Sequence, residues 1–309
     1  MTDRLVWLPF DPAELGDVPT SLRYEVVDPV DGDVPDSVGD VRFYVPPYRL
    51  GDEVTDVLAR MSSLEVVQTL TAGVDNVLPH LPDGVTLCNG RGIHDASTAE
   101  LALTLVLSSL RGIPEHVRGQ ARHAWAGGWR TSLADRRVLV VGHGAIGRAI
   151  EARLLPFETT VVRVARTARV LDDGPVHGFD ELPDLLPDAD VVVLVCPLTD
   201  ETRGLVDAAF LDRLPDGALL VNVARGAVVV TDDLLAALRT GRITAALDVT
   251  DPEPLPADHP LWEAPGLLVT PHVGGLSSAM WPRAHRVVRE QLHRYAAGEE
   301  LHNRMTGRY

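Results

Sequence analysis

The chain has 309 residues, more than one hydrophobic core usually holds, which predicts two domains. Hydrophobic residues make up 45% of the sequence, as in a soluble globular protein. The formal net charge of -16 argues against nonspecific binding to nucleic acid or to an anionic membrane.

The cationic and sulfur-containing residues exclude further classes of function. All 28 cationic side chains are arginine, because the sequence contains no lysine, which excludes Schiff-base catalysis and a P-loop lysine. Cys88 and Cys196 have no partners at metal-ligand spacing, which indicates a reducing compartment and no metal site. Residues 1–9 lack the apolar core of a signal peptide, and no apolar stretch is long enough to span a bilayer, so we expect a cytoplasmic protein.

The first hundred residues alternate short β-rich runs with clusters of Pro, Gly and Asp. This spacing predicts a small α/β unit with strands at residues 5–8, 24–27, 41–45 and 64–69. Residues 95–100 then begin a Leu- and Ala-rich segment that predicts a helix to residue 110. We place the crossing between the two domains at this helix.

From residue 137 onward, apolar strands alternate with helical segments. The predicted strands are residues 138–141, 160–164, 190–196, 218–223, 245–249 and 267–269. Such an alternation predicts a doubly wound parallel sheet. A last helix at residues 280–297 is expected to return to the first domain.

The predicted fold is therefore α/β, with two Rossmann-like domains that contain doubly wound parallel sheets. A discontinuous substrate domain would comprise residues 1–98 and 274–309, and a dinucleotide-binding domain would comprise residues 99–273.

A glycine-rich motif, Gly-His-Gly-Ala-Ile-Gly, occupies residues 142–147. Alone it could be a plain glycine turn, but a strand precedes it and a helix at 148–155 follows, as in sites that hold a dinucleotide pyrophosphate. The predicted cofactor contacts in this motif are Gly142, Gly144, Ala145, Ile146 and Gly147.

The end of the second strand of this domain bears on the choice of cofactor. Where NAD enzymes usually carry an acid for the ribose hydroxyls, residue 165 is alanine. Arg166 and Arg169 could pair with a 2′-phosphate, and Thr167 could donate a hydrogen bond to it. We therefore predict a preference for NADP(H), with NAD(H) possible; the alternative is that both arginines are solvated in a surface loop.

Three residues in the last third of the chain can bind, polarise and protonate a 2-keto acid. Arg225 follows a buried strand, so its guanidinium can meet a carboxylate or carbonyl oxygen at the ligand end of the sheet, although a structural salt bridge is the alternative. Glu253, in a Pro-rich loop, can bond one ring nitrogen of His272, fix its tautomer and favour the imidazolium that donates a proton. The pair would act as an acid in reduction and as a base in oxidation.

These residues and the glycine motif resemble the D-isomer-specific 2-hydroxyacid dehydrogenases, which include glyoxylate, hydroxypyruvate and phosphoglycerate dehydrogenases. The resemblance covers nearly the whole chain and extends to residues 71–76, 98–100, 196–199, 246–249 and 306–307. It implies NAD(P)-dependent interconversion of a small 2-keto acid and its D-2-hydroxy acid. It also implies a homodimer, with the helix near Thr98 in the interface.

The resemblance also implies roles for individual residues. The backbone amides of Gly73 and Val74 would hold the substrate carboxylate beside Arg225, and Asp248 would meet the nicotinamide carboxamide. Further implied cofactor contacts are Cys196, Pro197, Ala224 and Gly274.

The substrate loop at residues 70–75 carries no cation, which favours a small unphosphorylated acid such as glyoxylate or hydroxypyruvate. Arg49 and Arg91 could serve a phosphorylated substrate, as in the phosphoglycerate dehydrogenase branch. A phosphite dehydrogenase would usually have a loop richer in cations. A dinucleotide-sensing, corepressor-like binding protein is the alternative from another class, and we expect the enzyme because the sequence has no disordered extension or charged tail.

Overall fold

The computed structural model describes residues 4–30, 32–48 and 56–305. Arg49 and residues 306–307, which the sequence analysis singled out, lie outside the described residues. The chain divides into two compact units. The first unit comprises Met1–His94 and Ser278–Arg308, and the second comprises Asp95–Ser277 with Tyr309.

The strands and helices follow one another in α/β order. The strands are β1 (Arg4–Leu8), β2 (Leu22–Val26), β3 (Val41–Tyr44), β4 (Val66–Gln68), β5 (Thr86–Cys88), β6 (Arg137–Val141), β7 (Thr160–Val164), β8 (Arg169–Leu171), β9 (Gly174–His177), β10 (Val191–Leu194), β11 (Leu219–Asn222), β12 (Thr244–Leu247) and β13 (Leu267–Val269). The helices are α1 (Asp95–Leu110), α2 (Ile113–Ala121), α3 (Ala145–Leu154), α4 (Leu182–Leu185), α5 (Ala208–Arg213), α6 (Thr231–Arg239) and α7 (Met280–Ala297).

The first unit contains a five-stranded parallel sheet in the order β2-β1-β3-β4-β5. Helix α7 packs against it, as the sequence predicts. The buried residues of α7 recur at helical spacing and therefore form one face: Met280, Ala284, Val288, Leu292 and Tyr295. They share a core with Val6, Leu8 and Phe43 of the strands. The segment after residue 277 thus completes the first unit, which is discontinuous in sequence.

The second unit contains an eight-stranded sheet in the order β13-β12-β11-β10-β6-β7-β9-β8. All neighbours are parallel except β8 and β9, which form an antiparallel hairpin at one edge. Apolar residues of α1 and α3 share one core cluster with the sheet, and those of α5 and α6 share another. The sheet is therefore doubly wound, as predicted.

The strand order reverses between β6 and β10, which places a topological switch point at the carboxyl ends of these two strands. In open α/β sheets, ligands bind in the crevice at such a point.

In the part of the chain that the structure describes, no helix is both long and apolar enough to cross a membrane. Within the same residues, no group of three or more His, Cys, Asp or Glu side chains is arranged to hold a metal ion.

Candidate active site

The glycine motif forms a tight turn between β6 and α3. Gly142 has φ 116°, a conformation that side chains rarely adopt, and a Cβ there would lie 2.5 Å from the backbone nitrogen of Cys196. A Cβ at Gly147 would overlap the carbonyl oxygen of Gly142. At Gly144, by contrast, no described atom other than those of its chain neighbours lies within 4 Å of an ideal Cβ position. The turn is closed around two glycines and open beside the third, at the N-terminus of a ten-residue helix.

An open space at a helix N-terminus is suited to an anion. The backbone N–H groups of the first helical turn and the helix dipole both favour negative charge there. Ala145 and Ile146 begin α3, so the residues predicted to face a pyrophosphate lie at this end of the helix. The turn therefore fits the phosphates of a dinucleotide.

The loop between β7 and β8 lies beside this turn. Arg166 and Thr167 are exposed in it, and Arg169 begins β8. The guanidinium of Arg169 donates a hydrogen bond to the carbonyl oxygen of His143 at 3.1 Å. This contact brings a cation to the glycine turn, on the side where the ribose of a dinucleotide is expected.

The other side of the switch point is formed by the end of β10. The backbone N–H of Val195 donates to the carbonyl of Val141 at 2.8 Å, so the chain beyond β10 runs beside the glycine turn. Cys196 is buried here and Pro197 is exposed. Burial raises the pKa of the Cys196 thiol to about 11, so the thiol remains protonated at neutral pH.

A buried asparagine shapes the backbone around Arg225. Asn222, the last residue of β11, donates from Nδ2 to the carbonyl of Arg225 at 2.9 Å and accepts at Oδ1 from the N–H of Ala224 at 3.0 Å. The Arg225 guanidinium donates to the carbonyl of Ala224 at 2.8 Å. A Cβ at Gly226 would overlap the carbonyl oxygen of Thr250, so the turn lies directly against the chain beyond β12.

That chain leads to Glu253, whose carboxylate forms a hydrogen bond with Nδ1 of His272. A carboxylate only accepts, so Nδ1 carries the hydrogen and Nε2 is left for chemistry. The side chains of His272 and Glu253 are 46% and 40% exposed, so a ligand can reach them. His272 has φ 51°, which is uncommon for a residue other than glycine.

Asp248 holds the segment that carries His272. It is buried at the start of the chain beyond β12, and its Oδ1 accepts hydrogen bonds from Thr270 Oγ1 at 2.6 Å and from the N–H of Val273 at 2.9 Å. Its Oδ2 accepts from the N–H of Gly274 at 2.8 Å. The carboxylate of Asp248 therefore binds the side chain of Thr270 before His272 and the backbone of Val273 and Gly274 after it.

Arg225, Glu253 and His272, the catalytic residues predicted from the sequence, all lie beyond the carboxyl ends of the adjacent parallel strands β11, β12 and β13. The sequence analysis assigned no role to Asn222 or Thr270. An asparagine that ends an apolar strand is the signal that could have identified Asn222, since its side chain often binds nearby backbone.

The predicted carboxylate-binding loop lies in the first unit, after β4. Four successive carbonyls of this loop accept hydrogen bonds: Leu70 from His94 at 3.1 Å, Thr71 from Gly90 N–H at 2.7 Å, Ala72 from Asn89 at 3.0 Å and Gly73 from Thr71 Oγ1 at 2.7 Å. In a trans peptide the N–H points opposite to the preceding carbonyl. The N–H groups of Gly73 and Val74 are thus directed away from the side chains that bind the carbonyls.

Comparison with known proteins places the chain in a family. Residues 103–274 match the family model described as D-isomer specific 2-hydroxyacid dehydrogenase, NAD binding domain. The chain belongs to this family. This dehydrogenase is 35% identical over 238 residues to the glyoxylate reductase/hydroxypyruvate reductase of Mus musculus, with 73% of each chain covered.

Two solved structures extend the comparison to almost the whole dehydrogenase. The D-isomer specific 2-hydroxyacid dehydrogenase from Xanthobacter autotrophicus Py2, in complex with NADPH and MES, is 33% identical, with a TM-score of 0.84 over 99% of this chain and 98% of that chain. The NADPH-dependent glyoxylate/hydroxypyruvate reductase from Sinorhizobium meliloti, in complex with NADP and sulfate, is 27% identical, with a TM-score of 0.83 over 98% of each chain. The resemblance found in the sequence is confirmed, and the protein is an NAD(P)-dependent oxidoreductase.

Proposed function

We propose that this dehydrogenase interconverts a small 2-keto acid and its D-2-hydroxy acid, of the glyoxylate or hydroxypyruvate type, with NADP(H) as the favoured cofactor. The observation that carries the proposal is the placement of Arg225, Glu253 and His272 after three adjacent parallel strands. A cation and a proton donor oriented by a carboxylate are the groups that reduction of a 2-keto acid requires.

The residues divide the chemistry between them. The guanidinium of Arg225 binds the carboxylate or carbonyl oxygen of the substrate and polarises the carbonyl. His272 donates a proton from Nε2 to the carbonyl oxygen as the hydride reaches the carbon, while Glu253 stabilises the imidazolium through Nδ1. In the oxidative direction His272 accepts the hydroxyl proton. The nicotinamide, when bound, supplies or accepts the hydride.

The substrate loop supports a small, unphosphorylated acid. Backbone amides of Gly73 and Val74 would bind the substrate carboxylate, and the loop contains Asp75 but no cation. A carboxylate beside a substrate phosphate would repel it. Two of the related proteins compared above are named glyoxylate/hydroxypyruvate reductases, which supports the same substrate class.

Arginines at the ribose end of the site support NADP(H). Arg169 contacts the glycine turn, Arg166 and Thr167 are exposed in the same loop, and alanine occupies residue 165. Both solved relatives compared above contain NADPH or NADP. We assign Arg166, Thr167 and Arg169 to the 2′-phosphate.

A second copy of the chain is the partner that the surface of the second unit favours. Trp125 and Trp129 are fully exposed, and Ile113 and Val117 of α2 are exposed nearby in sequence. Large exposed aromatic side chains are typical of protein interfaces. We therefore retain the predicted homodimer, and light scattering on a sizing column is the direct test.

The test of function follows nicotinamide absorbance while the purified protein reduces glyoxylate, hydroxypyruvate, pyruvate and phenylpyruvate, first with NADPH and then with NADH. We expect turnover with NADPH on a small acid. His272→Ala should abolish it, and Glu253→Gln should lower kcat by roughly 10²-fold, in the range of general acid catalysis. His293→Ala, at an exposed histidine of α7, is the matched control and should leave kcat unchanged.

The same assay tests the cofactor assignment. Arg166→Ala should raise KM for NADPH and leave KM for NADH unchanged, because NADH has no 2′-phosphate. An unchanged KM for NADPH would show that Arg166 does not bind the phosphate. Tight cofactor binding without turnover on any acid would instead indicate a dinucleotide-sensing binding protein.

A further inference from the structure

Five polar residues beside the glycine turn are linked by side-chain contacts and by the backbone of one hairpin, and we call them the polar ring: His143, Glu151, Arg163, Arg169 and Asp173. Its members come from the turn, from α3, from β7 and from the β8–β9 hairpin. Only Arg169 belongs to the predicted cofactor contacts. The prediction of the cofactor site gave the other four residues no role.

The first contact joins the turn to the helix that follows it. His143 and Glu151 are both buried, and Nε2 of His143 lies 2.8 Å from Oε2 of Glu151. Because a carboxylate only accepts, His143 donates from Nε2. Burying a carboxylate without partners costs free energy, so this hydrogen bond and the one from Arg163 are needed to keep the carboxylate of Glu151 buried.

The second contact joins the helix to β7 and to the hairpin. Arg163 donates from Nε to Oε1 of Glu151 at 2.6 Å, and its two terminal nitrogens bind the two carboxylate oxygens of Asp173 at 2.8 and 2.7 Å. Such bidentate pairs fix geometry as well as adding energy. Hydrogen bonds to Glu151 and Asp173 raise the pKa of Arg163, and the guanidinium of Arg163 lowers the pKa of Asp173, so both groups remain charged.

The backbone of the hairpin and one hydrogen bond to a main-chain carbonyl complete the ring. Asp173 lies in the short turn between β8 and β9, and Arg169 begins β8 at the other end of the hairpin. Arg169 donates to the carbonyl oxygen of His143, which returns the chain of contacts to the turn. Asp173, in the turn of the hairpin, is thus bound by Arg163, and Arg169, at the start of β8, contacts His143.

The hairpin has few other attachments to the sheet. Among the strands that the structure describes, β8 is an edge strand that pairs only with β9, and β9 pairs with β7 over two residues, at Arg163–Val176 and Val164–His177. Segments with few buried contacts open locally at low cost in free energy. The Arg163–Asp173 pair is therefore well placed to limit movement of the strand that begins with Arg169.

We propose that the polar ring is a specificity-determining device, in which Glu151, Arg163 and Asp173 position Arg169 for the 2′-phosphate of NADP(H) without touching the cofactor. The proposal rests on the proposed NADP(H) use. An arginine that is already held in its binding geometry loses less side-chain entropy when the phosphate arrives, which strengthens binding. The affinity for NADH, which lacks the 2′-phosphate, should not depend on the polar ring.

The test uses titration calorimetry on the full-length protein with NADPH, NADH and adenosine 2′,5′-bisphosphate. Asp173→Asn keeps one acceptor for Arg163, and Asp173→Ala removes both. We expect the Kd of NADPH and of the bisphosphate to rise about 3-fold in Asp173→Asn and about 10-fold in Asp173→Ala, the range of one charge-assisted hydrogen bond. The Kd of NADH should change less than about twofold, and kcat at saturating NADPH should stay at the wild-type value.

Asp172→Asn is the matched control, since Asp172 is an exposed neighbour in the same turn with the same charge. Removing a negative charge near a phosphate should by itself tighten binding. Weaker binding in Asp173→Asn but not in Asp172→Asn therefore identifies the contact with Arg163 rather than the charge.

Three results would overturn the proposal. Wild-type affinity for NADPH in Asp173→Ala would show that the ring does not position Arg169. Equal losses for NADPH and NADH would show a merely structural contact. A wild-type protein that binds NADPH no more tightly than NADH would remove the NADP(H) assignment itself, which distinguishes that failure from the other two.

Discussion

The carboxylate of Asp248 accepts a hydrogen bond from the backbone N–H of Gly274 at 2.8 Å. A Cβ on residue 274 would lie 2.9 Å from the same oxygen, so this approach requires glycine. The second carboxylate oxygen binds Thr270 and Val273. One buried carboxylate thus holds both sides of the residue that is proposed to move the proton, His272.

Asp248→Asn should lower kcat by roughly 10- to 100-fold, because misplacing a catalytic group by about 1 Å can cost about 10²-fold. The amide keeps one acceptor, and in either orientation its NH₂ group faces a backbone N–H, that of Val273 or that of Gly274. Thr270→Val, which removes one hydrogen bond to Asp248, should cause a smaller loss of kcat. Steady-state kinetics with calorimetry of NADPH binding measures both effects. A wild-type kcat in Asp248→Asn would contradict the positioning role, and a raised Kd for NADPH would support the predicted contact with the carboxamide.

Gly226→Ala should disturb the turn that carries Arg225, since the added methyl group would overlap the carbonyl of Thr250. We expect a loss of about 1–3 kcal/mol in the free energy of unfolding, as for other overpacked sites, together with a lower kcat/KM for the keto acid. Urea unfolding and steady-state kinetics measure these changes. Gly127→Ala is the control, because no described atom beyond its chain neighbours lies within 4 Å of its Cβ position. Equal behaviour of the two variants would show that the close approach at Gly226 is unimportant.

Most of the strands predicted from the sequence are buried in the sheets, although the predicted edge strands β2 and β13 are only partly buried. Runs such as residues 138–141 and 191–194 are buried throughout, so their apolar β-branched residues identify them. The β8–β9 hairpin lies at the edge, where Val170 is exposed and Pro175 interrupts the pattern. The hairpin was therefore missed. β5 was missed as well, and its length of three residues does not explain this, because β4 and β13 are equally short and were predicted.

In the candidate site, too, some residues could be predicted from the sequence and others could not. Arg225 and His272 could be named because their residue types suit the chemistry and each follows a predicted strand. Their supporting residues could not, because the partners of Asn222, Thr270 and Glu151 are fixed only when segments distant in sequence meet in the fold. Hydrogen-bond donors and acceptors are common in any sequence, and the periodicity of hydrophobic residues does not show which donor meets which acceptor.

Stability at alkaline pH should depend on Cys196. Burial raises the pKa of its thiol from 9.0 to about 11, so the unfolded chain loses this proton at lower pH than the folded chain does. The protonated thiol therefore contributes its full share to the free energy of unfolding below pH 9, and this contribution is lost as the pH rises toward 11. Between pH 8 and 10.5, urea unfolding of the wild type should lose up to roughly 2 kcal/mol more than that of Cys196→Ala. Equal losses in both proteins would show that this thiol does not contribute.

Two glycines of the dinucleotide turn should respond differently to the same substitution. Gly147→Ala would place a methyl group against the carbonyl of Gly142, so we expect a lower Tm without cofactor and lost NADPH binding. Gly144→Ala meets no described atom within 4 Å, and its φ of -91° suits any residue, so the Tm without cofactor should be unchanged. The new methyl group would occupy the space assigned to the pyrophosphate, and the Kd of NADPH should rise by more than about 10-fold. If Gly144→Ala bound NADPH as the wild type does, the pyrophosphate would have to lie elsewhere.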